Sequence, residues 1–180
     1  YSAGATFAAA ALTSVETMNI YDQDDTLDLS LLNYASVTTA NFIRGTAGMT
    51  ITIGAGVANL GMTDIAQANS ATIFTHAATD TSTTINLNGV TGAQDVTLDG
   101  TLLLTHVVNT SGVASSFNVL DIDASTNTTI NANAKLTTTL IATTAASGGL
   151  LTLTGSGNII VGVLDVGFDT VTATAHTGGL

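Results

Sequence analysis

The chain has 180 residues, of which 45% are hydrophobic and only 8% are charged, and it contains no proline, cysteine or tryptophan. Thirteen acidic residues outnumber the two basic ones, Arg44 and Lys135, so the formal net charge is −11. This composition excludes a basic patch for nucleic-acid phosphates, a disulfide framework and an apolar run long enough to span a bilayer. We therefore expect a chain that neither binds nucleic acid nor spans a membrane.

The sequence predicts strands along most of its length. It contains 35 threonines, and the β-branched side chains of Thr, Val and Ile favour strands over helices. After a short helical turn at 8–11, strands of alternating apolar and polar residues are predicted, with one further short helical stretch at 64–69. Turns rich in Gly, Asn, Asp and Ser separate these elements. The clearest alternating strands lie at 49–53, 83–88, 95–98 and 151–154.

A repeat narrows the fold class. A pattern of apolar residues at positions one, four and six recurs at 15–20, 37–42, 57–62, 93–98, 117–122 and 168–173. A unit of about 18 to 24 residues explains the spacing if one degenerate copy lies between the third and fourth copies, and this is the length of one coil of a parallel β-solenoid. We predict an all-β, right-handed parallel β-solenoid, with an antiparallel β-sandwich as the alternative.

The domain prediction follows from the repeat. Each coil leaves its backbone groups unpaired until another coil stacks on it at about 4.8 Å, and a proline would interrupt that pairing. We expect residues 1–180 to form a single solenoid domain. Because the chain starts at Tyr1 with no initiating Met and no signal peptide, we expect it to be a fragment of a longer chain.

The first candidate metal site is an acidic segment after the first repeat strand. Asp22, Asp24, Asp25 and Asp28 place four carboxylates within seven residues, and such carboxylates repel one another unless water or a cation separates them. Hard oxygen ligands of this kind suit Ca²⁺, although the spacing is not that of an EF-hand. A solvated acidic turn explains the segment equally well.

The second candidate metal site consists of Asp121 and Asp123. These residues are two apart on a predicted strand, so both point to the same face. In a solenoid this face could stack against an acid from an adjacent coil and build a column of oxygen ligands. The alternative is that these acids are solvated independently.

The sequence offers little support for catalysis. The three histidines, His76, His106 and His176, are far apart in sequence, and we expect them to be satisfied or exposed strand residues. No G-x-S-x-G elbow is present, and two basic residues are too few for a lyase acting on acidic sugars. We therefore predict that the chain is not an enzyme, with a polysaccharide-active β-helix enzyme as the least favoured interpretation.

Two runs carry a family resemblance. The segments 151–158 (LTLTGSGN) and 51–56 (ITIGAG) resemble RTX-related S-layer proteins of Gram-negative bacteria. The resemblance implies a Ca²⁺-binding solenoid that leaves the cell by a type I route and packs into a two-dimensional lattice on the outer membrane. The sequence departs from the RTX nonapeptide G-G-x-G-x-D because Ile159 occupies the position of the calcium-binding Asp.

These observations lead to one functional hypothesis. We expect a structural, self-assembling extracellular protein of the bacterial cell surface, a subunit of a Ca²⁺-stabilised lattice. Its partners would be copies of itself and a cell-surface polysaccharide. The alternative is an adhesin or fibre whose solenoid displays loops to a glycan or host surface.

Overall fold

A computed structural model describes residues 14–22, 26–29, 36–68, 70–123, 126–145 and 147–180. Within these ranges the chain forms seventeen β-strands and no helix. The strands are β1 (Thr17–Tyr21), β2 (Thr26–Asp28), β3 (Thr39–Ile43), β4 (Thr50–Thr52), β5 (Asn59–Thr63), β6 (Ala66–Gln67), β7 (Thr72–Thr75), β8 (Ser82–Asn88), β9 (Thr91–Gly92), β10 (Val96–Asp99), β11 (Thr105–Thr110), β12 (Ser115–Ile122), β13 (Asn127–Ala132), β14 (Leu136–Thr143), β15 (Gly149–Gly155), β16 (Ile159–Leu164) and β17 (Phe168–His176). The all-β prediction is confirmed.

The strands form two parallel sheets, one from each side of the coil. Sheet A has eight strands in the order β1-β3-β5-β8-β11-β13-β15-β17. Sheet B has nine strands: its main path runs β16-β14-β12-β10-β7-β4-β2, and the short strands β6 and β9 join it beside β12. Every strand pair is parallel. The fold is therefore a parallel β-solenoid, and the antiparallel sandwich is excluded.

The strand register gives the length of each coil, because paired residues are one coil apart in sequence. Thr17 pairs with Thr39, and Thr39 in turn pairs with Asn59. The longest step in sheet A runs from Asn59 to Thr84. The coils agree with the predicted repeat, except that this step and the steps between β6, β9 and β12 in sheet B slightly exceed its upper limit.

The recurring sequence motif belongs to both sheets, which corrects the single series expected from the sequence. Its copies at 15–20, 37–42, 57–62 and 168–173 supply strands of sheet A, whereas those at 93–98 and 117–122 supply strands of sheet B. The expected degenerate copy is β8, in which Ile85 and Leu87 lie beside Leu60 and Met62 of β5. The long sequence gap between the third and fourth copies arises because the motif changes sheet there.

One of the two predicted helical stretches is wrong. Within 64–69, Ala66–Gln67 form β6, which pairs with β9. Asp64 has a positive φ of 53°, and Ile65 is buried in the core. A left-handed bend followed by a short strand thus replaces the expected helix, and the stretch at 8–11 lies outside the described residues.

Inward-facing side chains of the two sheets fill one core. In β8, Thr83, Ile85 and Leu87 are buried, whereas Thr84 and Asn86 lie on the outer face, as the period of two requires. Phe42 of sheet A and Phe74 of sheet B are fully buried and meet with ring centroids 5.5 Å apart. This aromatic contact joins the two sheets.

Residues with a left-handed backbone conformation form a column at the ends of the first four sheet A strands. Asp22, Arg44 and Asp64 have φ values of 53°, 62° and 53°, and Gly89 follows at 71°. Each lies directly after a strand, and backbone hydrogen bonds join each to the next coil. Asp and Gly adopt this conformation more readily than most residues, so the sequence marks three of the four corners.

We predict that Phe74→Ala destabilises the solenoid by about 3 to 5 kcal/mol, because it removes the buried aromatic contact and leaves a cavity. Leu102→Ala is the matched control, since Leu102 is 51% exposed and we expect less than about 0.5 kcal/mol there. Urea unfolding followed by circular dichroism measures both. Equal losses in the two variants would contradict the assignment of Phe74 to the core.

Candidate functional site

The main cluster of ionisable groups lies on the outer side of sheet B, which we call the acidic face. It comprises Asp121 and the four carboxylates whose charges act on it, Asp95, Asp99, Asp123 and Asp165. The strand register explains why acids of neighbouring coils meet: Leu98 lies beside Ile122, so the residues that follow them, Asp99 and Asp123, are also neighbours. Parallel stacking thus brings together acids that are about one coil apart in sequence.

Asp121 lies in β12 and Asp123 directly follows this strand, and the metal site predicted for the pair stays a prediction. They flank Ile122, which is fully buried, while both aspartates are only partly buried. Burial raises the pKa of Asp121, and repulsion from Asp123, Asp95, Asp99 and Asp165 raises it further. The carboxylates around Asp121 therefore favour its protonated form, and they would equally favour a cation beside it.

Asp99, at the end of β10, is a member of the site that was not predicted from the sequence. Burial raises the pKa of Asp99, and repulsion from Asp123 on the next coil raises it further. The hydroxyl of Thr144 donates a hydrogen bond to Asp123.

The structure describes only part of the predicted acidic segment at 22–28. Asp22 directly follows β1 of sheet A and forms an exposed ion pair with Arg44 at 3.6 Å, while the Arg44 guanidinium also lies over the Tyr21 ring. Asp28 ends β2 in sheet B, beside Thr52 of the next coil. Asp24 and Asp25 lie outside the described residues, so the calcium site predicted for this segment stays a prediction.

The donors of the described residues do not form a complete metal centre. Within the described ranges, no three His, Cys, Asp or Glu side chains are grouped so that they could hold a metal ion. Within the acidic face, Asp123 is the carboxylate that acts most strongly on Asp99, so these two form the pair most suited to share a cation. A hard cation such as Ca²⁺ takes six to eight oxygen ligands, so this pair could supply only part of its coordination.

Two histidines lie buried beside the acidic face, which the sequence did not predict. The His76 side chain is fully buried, its Nδ1 is 3.4 Å from Asp80 Oδ2, and its Nε2 has no hydrogen-bond partner. Burial lowers the pKa of His76 despite the nearby carboxylates of Asp80 and Asp99. The pKa of His106 in β11 falls to about 4, chiefly through burial and secondarily through His76, so His106 is neutral at pH 7.

The last described coil leaves the core open. Val171 of β17 follows Leu151 in the same inward-facing column, yet Val171 is 49% exposed and Leu151 only 2%. A cavity of about 200 Å³ opens at this end. It is lined by Ile141, Leu151, Leu153, Ile159, Val161, Leu164, Val171 and Leu180.

The strands at this end are also sheet edges. β17 pairs only with β15, and β16 pairs only with β14, among the strands that the structure describes. An edge strand presents backbone N–H and C=O groups that another strand can pair with. The open end therefore combines exposed apolar side chains with available backbone hydrogen-bonding groups.

Comparison with known proteins adds no relative: no protein-family model, curated protein or solved structure matches the chain. The described part of the chain has no helix that is long and apolar enough to cross a membrane.

We predict that His106 makes folding stability fall in acid. Its pKa lies below the ordinary value of 6.5, so the unfolded chain binds the proton more tightly. The stability that His106 contributes is therefore fully present above pH 6.5 and is lost as the pH falls toward about 4, by about 3 kcal/mol.

Urea unfolding of the wild type and of His106→Gln, each near pH 7 and near pH 4, measures this contribution. Asp99 and Asp121 act in the opposite direction to His106, because their raised pKa values favour the folded state in acid. Both chains carry these aspartates, so their contribution cancels when the two stabilities are subtracted. His176→Gln, at the end of β17, is the matched control. An acid dependence that His106→Gln leaves unchanged would refute the assignment.

Proposed function

We propose that the chain is a structural, self-associating β-solenoid, a subunit of an extracellular S-layer-like lattice that Ca²⁺ stabilises at a bacterial cell surface. The observation that carries the proposal is the stacking of parallel coils, in which the apolar side chains and strand edges of β16 and β17 are left for a further coil to cover. Burying this apolar surface against another copy would stabilise association by about 25 cal/mol per Å². The acidic face supports the cation part of the proposal, and the resemblance to RTX-related S-layer proteins supports the place.

The geometry favours association from end to end. β1 and β2 are the first strands in the order of their sheets, and β17 and β16 are the last. All of these strands run parallel in coils of similar length, so the last described coil of one copy matches the first described coil of another in strand direction. Such a contact joins two different surfaces and therefore continues as a filament unless the rotation closes a ring. Lateral contacts between filaments would then build a sheet.

We predict that Val171→Lys abolishes end-to-end association, because the charge must be desolvated at the apolar end and lysine at an edge strand opposes strand pairing. Val113→Lys is the matched control, since Val113 lies in the turn between β11 and β12 and is 59% exposed, against 49% for Val171. Sedimentation velocity over a range of concentrations measures association, and negative-stain imaging distinguishes sheets, rods and monomers.

The outcomes separate the alternatives. Sheets from the wild type and the control, with monomers from Val171→Lys, would support the lattice. Isolated rods would favour the adhesin or fibre. A wild type that stays monomeric at every concentration, or a Val171→Lys variant that assembles normally, would refute association through this end.

Calcium enters the proposal as a bridge between copies. Asp99 and Asp123 supply carboxylate oxygens from one chain, and the remaining ligands would come from water or from a neighbouring chain. This role needs only a partial site on each chain, in agreement with the carboxyl pair of the acidic face.

We predict that EDTA disperses the assembly and that added Ca²⁺ restores it. The double variant Asp99→Asn and Asp123→Asn should assemble independently of Ca²⁺ or fail to assemble, since it removes the carboxylates that bind the ion. Asp64→Asn is the matched control because Asp64 is exposed at a sheet A corner and Asn tolerates its positive φ. Light scattering during a calcium titration reports the response, and an assembly indifferent to EDTA would remove calcium from the proposal.

A further inference from the structure

The outer side of sheet A carries two columns of neutral polar side chains, which we call the threonine–asparagine face. In the four central strands, β8, β11, β13 and β15, the first column is Thr84, Val107, Thr129 and Thr152. The second column, two residues further along each strand, is Asn86, Asn109, Asn131 and Thr154. The array thus repeats both along the strands and across them.

The spacing of this array follows from sheet geometry. Neighbouring strands lie about 4.8 Å apart, and residues two apart on one strand are separated by about 6.6 Å. Strands β8, β11 and β13 pair in unbroken register over six consecutive residues each, so the spacing is maintained from coil to coil. Both separations are close to the oxygen–oxygen repeats on the faces of hexagonal ice.

Hydrogen bonds between coils hold the second column in place. The Asn109 amide nitrogen donates to Asn86 Oδ1 at 2.9 Å, and the Thr154 hydroxyl donates to Asn131 Oδ1 at 3.4 Å. The same contact recurs between Asn41 and Asn19 at 2.9 Å. Together with the stiff χ1 of threonine, these bonds reduce the entropy that the side chains would lose on binding an ordered surface.

The face is also uncharged. No Asp, Glu, Lys or Arg occurs in any sheet A strand from β1 to β15, although the chain as a whole carries a net charge of −11. The acids concentrate on sheet B instead. A charged group would orient water around itself, whereas hydroxyl, amide and methyl groups can take positions that fit a neutral water lattice.

We infer that the threonine–asparagine face binds ice. The hydroxyl and amide groups would join the oxygen lattice at an ice surface as donors and acceptors, and the threonine methyls would fill the spaces between them. Adsorption of the rigid face would then slow the growth of that surface. Val107 is the one interruption in the first column of the four central strands, because it lacks the hydroxyl of threonine. It keeps the branched shape.

The test uses the full chain and ice itself as the probe. Slow freezing of a dilute solution measures the fraction of protein taken into the ice, and thermal hysteresis measures the slowed growth. We expect enrichment of the wild type in the ice and loss of both signals in the double variant Thr129→Lys and Thr152→Lys. The control, Thr52→Lys with Thr97→Lys, places the same charges at partly buried threonines on the outer side of sheet B and should leave both signals unchanged.

A gain-of-function variant keeps the proposal falsifiable if the lysine variants fold poorly, which circular dichroism would reveal. Val107→Thr completes the first column and should increase thermal hysteresis. Exclusion of the wild type from ice, or equal activity in the wild type, Val107→Thr and a folded lysine variant of this face, would refute the inference. Binding to insoluble cellulose or chitin without uptake into ice would assign the face to a polysaccharide and would also overturn it.

Discussion

Backbone hydrogen bonding between successive coils is the constraint on which the rest of this structure depends. Each parallel strand satisfies its N–H and C=O groups only through the coils on either side, so every strand is fixed in register with its neighbours. Register then converts sequence spacing into contact. Asp99 meets Asp123, Asn86 meets Asn109, and Leu60 meets Ile85 for the same reason: each pair is separated by about one coil.

The same constraint gives the molecule two chemically different sides. Sheet A stacks Thr and Asn into a neutral array, whereas sheet B brings aspartates together. Their repulsion adds to the effect of burial in raising the pKa of Asp121. Stacking amplifies whatever a position carries, because the same position recurs on every coil. Neutral side chains gain hydrogen bonds in this arrangement, while acidic ones need a proton or a cation.

Much of the fold could be predicted from the sequence because the physical signals are local and repeated. Strand alternation and the spacing of apolar residues predicted the solenoid and its coil length. The sheet to which each repeat copy belongs could not be read, because inward-facing residues of both sheets follow one apolar pattern. The helix prediction at 64–69 was wrong, because the helix-favouring residues of this stretch do not indicate the left-handed corner at Asp64.

The site was predicted only in part, for a related reason. Asp121 and Asp123 are close in sequence, so their shared face was visible, whereas the partnership of Asp99 with Asp123 depends on an offset of one whole coil. That offset lies within the predicted repeat and was the available signal. The burial of His76 and His106 depends on how the corner of the coil packs, which a single strand pattern does not record.

The uneven coil lengths have a consequence for how such a chain can change. The unequal steps from Thr17 to Thr39, from Thr39 to Asn59 and from Asn59 to Thr84 all preserve the register of sheet A, so additional residues are accommodated in the connections between strands. Insertions and deletions in those connections therefore leave the two faces aligned, whereas a single insertion within a strand would exchange inward and outward positions. Loss or duplication of one whole coil would preserve both faces and change only the length of the rod, which makes the coil the natural unit of evolutionary change.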